Sequence, residues 1–287
     1  MLKLHAQDPL PGRRVGAGTD WSQIQLQMRE GASCSPLLPL GSDAGLVWIP
    51  KNGCSTLKHV WLQLQGVDCT APGFDPHLAT LPYTYFLSPE ELEAVAEHRS
   101  LVAVWRDPID RYVSACRSHL IELTTSSIHT KLRLNSADSS HYDDLVRYHD
   151  ELFARYGIGS FADDVDPVLA MNQVALQLPA WTACHLDWSH HTIPQVCFLG
   201  GDPSYYRTIL GMDEINSLVA HWSARSDLSI DVTPQHVSKC STINTQWRQL
   251  RRDQLSPEAI VALQSFYAAD WAFLELAQQR LGSWRAA

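Results

Sequence analysis

No run of the sequence approaches the roughly 18 consecutive apolar residues that a membrane helix needs. The first residues, Met1-Leu2-Lys3-Leu4-His5-Ala6-Gln7-Asp8, lack the apolar core of a signal peptide. A cytoplasmic protein with no membrane partner is the expectation, the alternative being an anchor that lies outside the sequence given. Positive charge is scarce as well: 22 Lys and Arg stand against 31 Asp and Glu, a formal net charge of −9. Nucleic acids and heparin-like polyanions attract a basic surface, so no nucleic acid partner is expected, and a small or neutral one fits better. The seven cysteines, Cys34, Cys54, Cys69, Cys116, Cys184, Cys197 and Cys240, are odd in number and contain no Cys-x-x-Cys pair. That suits a reducing compartment and disfavours a disulfide framework. Internal repeats and low-complexity tracts are also missing.

What is present is ordinary for a globular chain: 287 residues, 45% hydrophobic and 18% charged, enough to bury a large α/β core. The expected organisation is an extension over residues 1–40 followed by one domain over residues 41–287. The extension mixes Pro, Gly, Ser and charges, with one possible short helix around Trp21 to Met28. Ser88-Pro89-Glu90-Glu91 is a capping box with Pro at the first helical position, opening a helix through Glu97. Residues 124–140 are polar and weakly patterned, and are read either as a mobile flap or as a plain solvent-facing loop.

The most informative segment is Ile49-Pro50-Lys51-Asn52-Gly53-Cys54-Ser55-Thr56, preceded by apolar Leu46-Val47-Trp48 and followed by Leu57-Lys58-His59-Val60-Trp61. It reads as a strand, a tight loop and a helix start, which is an anion site. Gly53 lets the backbone approach a ligand, Ser55 and Thr56 offer hydroxyls, the amides of the helix start point at the same spot, and Lys51 adds a point charge. A second apolar strand, Leu101-Val102-Ala103-Val104-Trp105, ends in Arg106-Asp107-Pro108. Asp107 suits an N-cap and Pro108 the first helical turn. Ile109, Val113, Cys116 and Leu120 then form a buried stripe, while Arg111, Ser114 and Ser118 fall on another face. Arg106 and Ser114 are candidates to close on one anion, the Arg through its fork and the Ser through its hydroxyl. Two anion sites, each at the carboxyl end of a strand, suit a ligand with two separated phosphates.

At these residues the chain resembles the sulfotransferases that use 3′-phosphoadenosine 5′-phosphosulfate (PAPS). Pro50, Lys51, Gly53 and Ser55 match their 5′-phosphosulfate loop. The pattern Lys-x-Gly-Cys-Ser-x-x-Lys, met by Lys51, Gly53, Cys54, Ser55 and Lys58, is closest to carbohydrate and heparan sulfate members. Arg106, Pro108, Arg111 and Ser114 match their 3′-phosphate pattern Arg-x-Pro-x-x-Arg-x-x-Ser. Three weaker likenesses follow: His191-Thr192-Ile193-Pro194-Gln195, the segment Val237-Ser238-Lys239-Cys240-Ser241 as a loop closing over the nucleotide, and a terminal helix from Leu255 through Tyr267, Asp270 and Leu274. The resemblance implies an α/β, P-loop-containing nucleotide-binding fold with a central, mainly parallel sheet flanked by helices. It also implies PAPS as donor, 3′-phosphoadenosine 5′-phosphate (PAP) as product, no metal, and a small-molecule or carbohydrate acceptor. The missing apolar anchor departs from the Golgi members and is similar to a soluble bacterial one.

The site residues carried over by the resemblance are Lys51, Asn52, Gly53, Cys54, Ser55 and Thr56 around the 5′-phosphosulfate, Arg106 and Ser114 at the 3′-phosphate, and Lys239 from the closing loop, the alternative for Lys239 being a plain solvated side chain. Lys51 meets the charge that grows on the leaving phosphate, and Cys54 reads as a packing residue that contributes its backbone. A hydroxyl acceptor needs a base. His77, in Asp75-Pro76-His77-Leu78, resembles the His that several heparan sulfotransferases place after the corresponding helix; the alternative is a surface loop His. His59 and His119 are the other candidates. The cluster Cys184-His185-Leu186-Asp187-Trp188-Ser189-His190-His191 has metal-ligand residue types but no common zinc spacing, so no metal is assigned. Trp181 and Trp188 read either as acceptor platforms or as core.

Two rival functions share the fold. A P-loop kinase-like nucleotide enzyme is disfavoured because there is no Gly-x-x-x-x-Gly-Lys-Ser/Thr and Lys51 precedes its loop glycine. An inactive nucleotide-binding module is disfavoured by the joint presence of Lys51, Ser55, Arg106 and Ser114, and would gain if His77 lay away from the loop.

Overall fold

The computed structural model describes residues 34–226 and 245–281, with residues 10, 13, 14 and 230. The chain divides into two compact units. One comprises Met1–Asp107, Pro194–Val237 and Ala269–Ala287, the other Pro108–Ile193 and Ser238–Ala268.

The first unit holds the sheet. Its strands are β1 (Arg13–Arg14), β2 (Ser35–Leu40), β3 (Ala44–Val47), β4 (Tyr85–Leu87), β5 (Ser100–Trp105) and β6 (Tyr206–Gly211). Their order across the sheet is β1-β4-β2-β3-β5-β6. β3, β5 and β6 run parallel, with Val47 opposite Ala103 and Val104 opposite Leu210. β1, β4 and β2 pair antiparallel, and β2 pairs antiparallel with β3, Leu37 facing Val47. The sheet is therefore mixed, a correction to the mainly parallel sheet expected from the sequence. The cause is local: only Gly41, Ser42 and Asp43 separate β2 from β3, and so short a turn permits only an antiparallel return.

β2 also differs from the expectation of an extension over residues 1–40, because its six residues are buried inside the sheet. Pro36 and Pro39 hide it from a sequence reading, since Pro withdraws a ladder donor and is rare within a sheet. Their carbonyls are still used: Pro36 O accepts from Trp48 N at 3.1 Å and Pro39 O from Trp61 Nε1 at 2.7 Å. Around the sheet lie α1 (Cys54–Leu64), α2 (Pro76–Thr80) and α3 (Pro89–Ala96), the last opened by the Ser88/Glu91 capping box as expected. α1 buries Leu57, Val60, Trp61 and Leu64, and the core of this unit also takes Leu37, Leu46, Leu101 and Val104.

The second unit is helical. It contains α4 (Pro108–His119), α5 (Thr125–Leu134), α6 (Ser139–Tyr156), α7 (Pro167–Leu176), α8 (Leu178–Cys184) and α9 (Leu186–Thr192). The chain then supplies α10 (Val196–Leu199) and α11 (Ile215–Ser226) to the first unit, α12 (Thr245–Arg248) and α13 (Pro257–Phe266) to the second, and ends in α14 (Ala268–Leu281). The expected stripe Ile109, Val113, Cys116 and Leu120 is buried, in one cluster with Met171, Val174, Trp181, Trp188 and Tyr267. Tyr112 donates to Met171 O at 2.6 Å and Tyr267 to Thr192 O at 2.7 Å, so both buried phenols are satisfied.

Residues 124–140, expected as a flap or loop, are instead α5 and the start of α6. Ile128 is buried and Leu132 packs against the core four residues on, a stripe too thin to stand out among the polar residues. Asp138 caps α6 by accepting from His141 N. Among the described residues, no helix is long and apolar enough to cross a membrane.

Candidate active site

The loop after β3 is shaped by three residues. Pro50 ends the extended run, Asn52 N donates to Ile49 O at 3.1 Å to close a turn, and Lys51 and Gly53 both adopt left-handed backbone, φ 70° and 69°. Gly53 is favoured by its φ, and a Cβ there would come within 2.7 Å of Ile215 Cδ1 and push that side chain aside. Lys51 has no such licence, and a left-handed L-residue costs about 1–2 kcal/mol. Part of the support for that conformation comes from Arg106, whose Nη1 donates to Lys51 O at 2.7 Å.

Gly53 is the N-cap of α1 and offers no side chain to its first turn, nor does that turn contain an acidic residue. The amides of Cys54, Ser55 and Thr56 are thus the uncapped positive end of a three-turn helix. Ser55 and Thr56 are half-buried beside them, while the Cys54 side chain is buried as a packing residue. The arrangement fits an anion chemically: backbone donors, two hydroxyls, no competing carboxylate.

His77 comes to this loop. Asp75 caps α2 by accepting from His77 N at 2.8 Å, and Pro76 fills the first helical position, so the ring is anchored at a helix start. Its Nε2 lies 2.7 Å from Ser55 Oγ, and its Nδ1 lies 3.2 Å from Lys58 Nζ. Lys58 is 1% exposed, and its ammonium sits 3.3 Å from the centroid of the Trp48 ring. Desolvation by burial pulls its pKa down to about 8 against the opposing influence of Cys54 and Asp75.

A buried polar network ties the loop to the end of β5. Asn52 Nδ2 donates to Val104 O at 2.8 Å and to Gln195 Oε1 at 2.6 Å. Gln195 treats residue 106 as a strand neighbour would, accepting from Arg106 N at 3.3 Å and donating to Arg106 O at 2.9 Å. Its Nε2 also lies 3.5 Å from Asp270 Oδ2, and Asp270 Oδ1 accepts from Val196 N at 3.0 Å. Gln195, Asp270 and Lys58 have no role in the sequence reading. Each was visible only as a letter in a pattern: Gln195 in His-x-x-Pro-Gln, Asp270 in the terminal helix, Lys58 in Lys-x-Gly-Cys-Ser-x-x-Lys.

The remaining sequence candidates fall elsewhere. Ser114 is half-buried on α4, its carbonyl accepting from Ser118 Oγ at 3.2 Å. Arg111, expected on the same face as Ser114, is instead fully buried, with Nη1 donating to Ile193 O at 2.6 Å. Lys239 lies outside the described residues. His59 is buried on α1 and pairs with Gln63 Nε2 at 3.1 Å, whereas His119 Nδ1 lies 3.0 Å from Glu122 Oε1 and its ring stacks on His191 at 4.0 Å. Trp181 and Trp188 are core residues rather than platforms. Among the described residues no group of three His, Cys, Asp or Glu is arranged to hold a metal ion.

The model of the sulfotransferase family matches residues 46–275, from β3 into α14. No curated protein and no solved structure matches.

Proposed function

The chain belongs to the sulfotransferase family, and from that premise we propose that it moves a sulfonate group from PAPS to a hydroxyl of a small-molecule or carbohydrate acceptor. The observation that carries this reading is the 2.7 Å contact between Ser55 and His77, which sets a candidate base against the candidate phosphosulfate loop. The fold of the loop is the P-loop type, in which uncapped helix amides hold a phosphate. The acceptor oxygen attacks sulfur as the bond from sulfur to the phosphate oxygen breaks, PAP departs, and the acceptor proton passes to His77 Nε2. Lys51 meets the charge on the departing phosphate, and the amides of residues 53–56 with the Ser55 and Thr56 hydroxyls hold it. The sequence pattern assigns the 3′-phosphate to Arg106 and Ser114. Asn52 orients the loop through Val104 and Gln195. No step requires a metal, because fixed donors match the leaving group.

The test is sulfonate transfer from isotopically labelled PAPS to a panel of alcohols and sugars, read by mass, with thermal shifts in parallel. PAP should raise the melting temperature far more than ADP or ATP. An equal shift with ATP, or transfer of phosphate in place of sulfonate, would overturn the reading.

A further inference from the structure

His77 is bracketed: Ser55 Oγ at Nε2 and Lys58 Nζ at Nδ1. A neutral imidazole carries one proton, so its two nitrogens cannot play the same role at once. An ammonium can only donate. While Lys58 is charged it occupies Nδ1 as a donor, the ring proton must sit on Nε2, and Nε2–H points at Ser55. In that state the nitrogen facing the loop is a donor and takes no proton from a hydroxyl. A neutral amine can accept. Nδ1–H then donates to Lys58, and Nε2 turns a lone pair toward the loop.

We propose that Lys58 is a positioning residue that acts through His77, selecting which ring nitrogen holds the proton and so whether His77 can serve as a base. The inference rests on the proposed function only for its kinetic consequence; the pairing itself stands on the geometry. When the acceptor hydroxyl gives its proton to Nε2, the Nδ1 proton can move to the neutral Lys58 amine, so charge is conserved and the ring ends neutral. The surroundings suit such a switch. Lys58 is buried over the face of Trp48, and among the described residues the titratable groups shown against it are His77 and Asp75 from α2 and its cap, and Cys54 from the preceding turn of α1. The amine titrates at about 8, well within reach of neutral pH. A lysine used only as an anion ligand gains nothing from being sealed at 1% exposure with its nitrogen on an imidazole.

Two measurements test this. Long-range proton–nitrogen NMR of the full chain, with His77→Gln to assign the ring, should show His77 protonated on Nε2 at pH 7 and on Nδ1 at pH 9. In Lys58→Met the tautomer should not change over that range. Turnover on a hydroxyl acceptor should rise about tenfold between pH 7 and pH 9 in the unmodified enzyme, as the neutral fraction of a group titrating at about 8 does. That rise should vanish in Lys58→Met, and in Lys58→Arg the ring should stay locked on Nε2–H at low turnover throughout. If the ring in the unmodified chain keeps one tautomer from pH 7 to pH 9, or switches identically in Lys58→Met, the proposal falls, even if Lys58→Arg fails to fold. If the tautomer switches while no sulfonate is transferred, the pairing of Lys58 with His77 stands and the functional reading falls.

Discussion

Among the described residues, two long cations lie sealed in the interior, Lys58 in the sheet-bearing unit and Arg111 in the helical one, and they are buried for different work. Arg111 presents a guanidinium to the carbonyl of Ile193 at 2.6 Å. A guanidinium does not lose its proton in a protein, so this contact is constant with pH and acts as a brace. Lys58 presents an amine to a ring nitrogen at 3.2 Å, and burial moves its titration from 10.5 to about 8. Burial of an arginine fixes a structure, whereas burial of a lysine produces a group that changes state. Sequence alone ranks the two as equivalent charges on amphipathic helices.

The sharpest way to break the contrast is to remove the brace. Arg111→Ala leaves a cavity and an orphaned carbonyl, and should cost about 3–5 kcal/mol in urea unfolding. A loss below about 1 kcal/mol would show that Arg111 braces nothing. Next comes the pH dependence of Lys58. Its folded pKa is depressed, so between pH 8 and 10.5 the unfolded chain binds more protons, and stability rises with pH across that window and is lost again as pH falls through about 8. The full difference is about 3 kcal/mol, and Lys58→Met should abolish it while remaining at least as stable at pH 7. Arg111→Ala should keep the slope. A slope that survives in Lys58→Met belongs to some other group.

A neutral buried group gives an intermediate case. Gln195→Leu removes the Gln195 partner of the Arg106 amide and carbonyl and one of the two acceptors of Asn52 Nδ2, and should cost about 2 kcal/mol. Because Asn52 shapes the loop, PAP affinity should fall with it; a variant that loses stability but binds PAP unchanged would detach the network from the site. The smallest effect is expected where water reaches the pair. Burial alone would raise the Glu122 carboxyl, but the hydrogen bonds and charges of His119 and Lys131 hold it down at about 2. Its contribution is therefore present above the ordinary Glu value of 4.5 and lost as pH falls toward 2. With Lys131 36% exposed, Glu122→Gln should cost about 1 kcal/mol at pH 6 and nothing near pH 2.

How far the sequence reached depends on how local each feature is. The loop at residues 50–56, the start of α4 and the capping box of α3 rest on neighbouring residues, so Pro, Gly, Ser and Glu announce them. β2 is hidden in the sequence because Pro36 and Pro39 argue against a strand, and only its pairing partners on both sides outweigh them. α5 was missed because one buried Ile128 supplies most of its stripe. At the site, Gln195 and Asn52 meet across a separation of 143 residues, a contact that no local pattern encodes. Lys58 was legible as a letter of a motif, but its role depends on Asp75 anchoring a separate short helix that swings an imidazole onto it.

The Gln195 side chain also fixes where the chain returns. Its amide grips both the N–H and the carbonyl of residue 106, so the chain that departs after Arg106 comes back to the same spot at Gln195. Everything from Asp107 to Pro194 is an excursion with clamped ends. The two anchors of that excursion, Arg106 and Gln195, 89 residues apart in sequence, are therefore held together by one side chain.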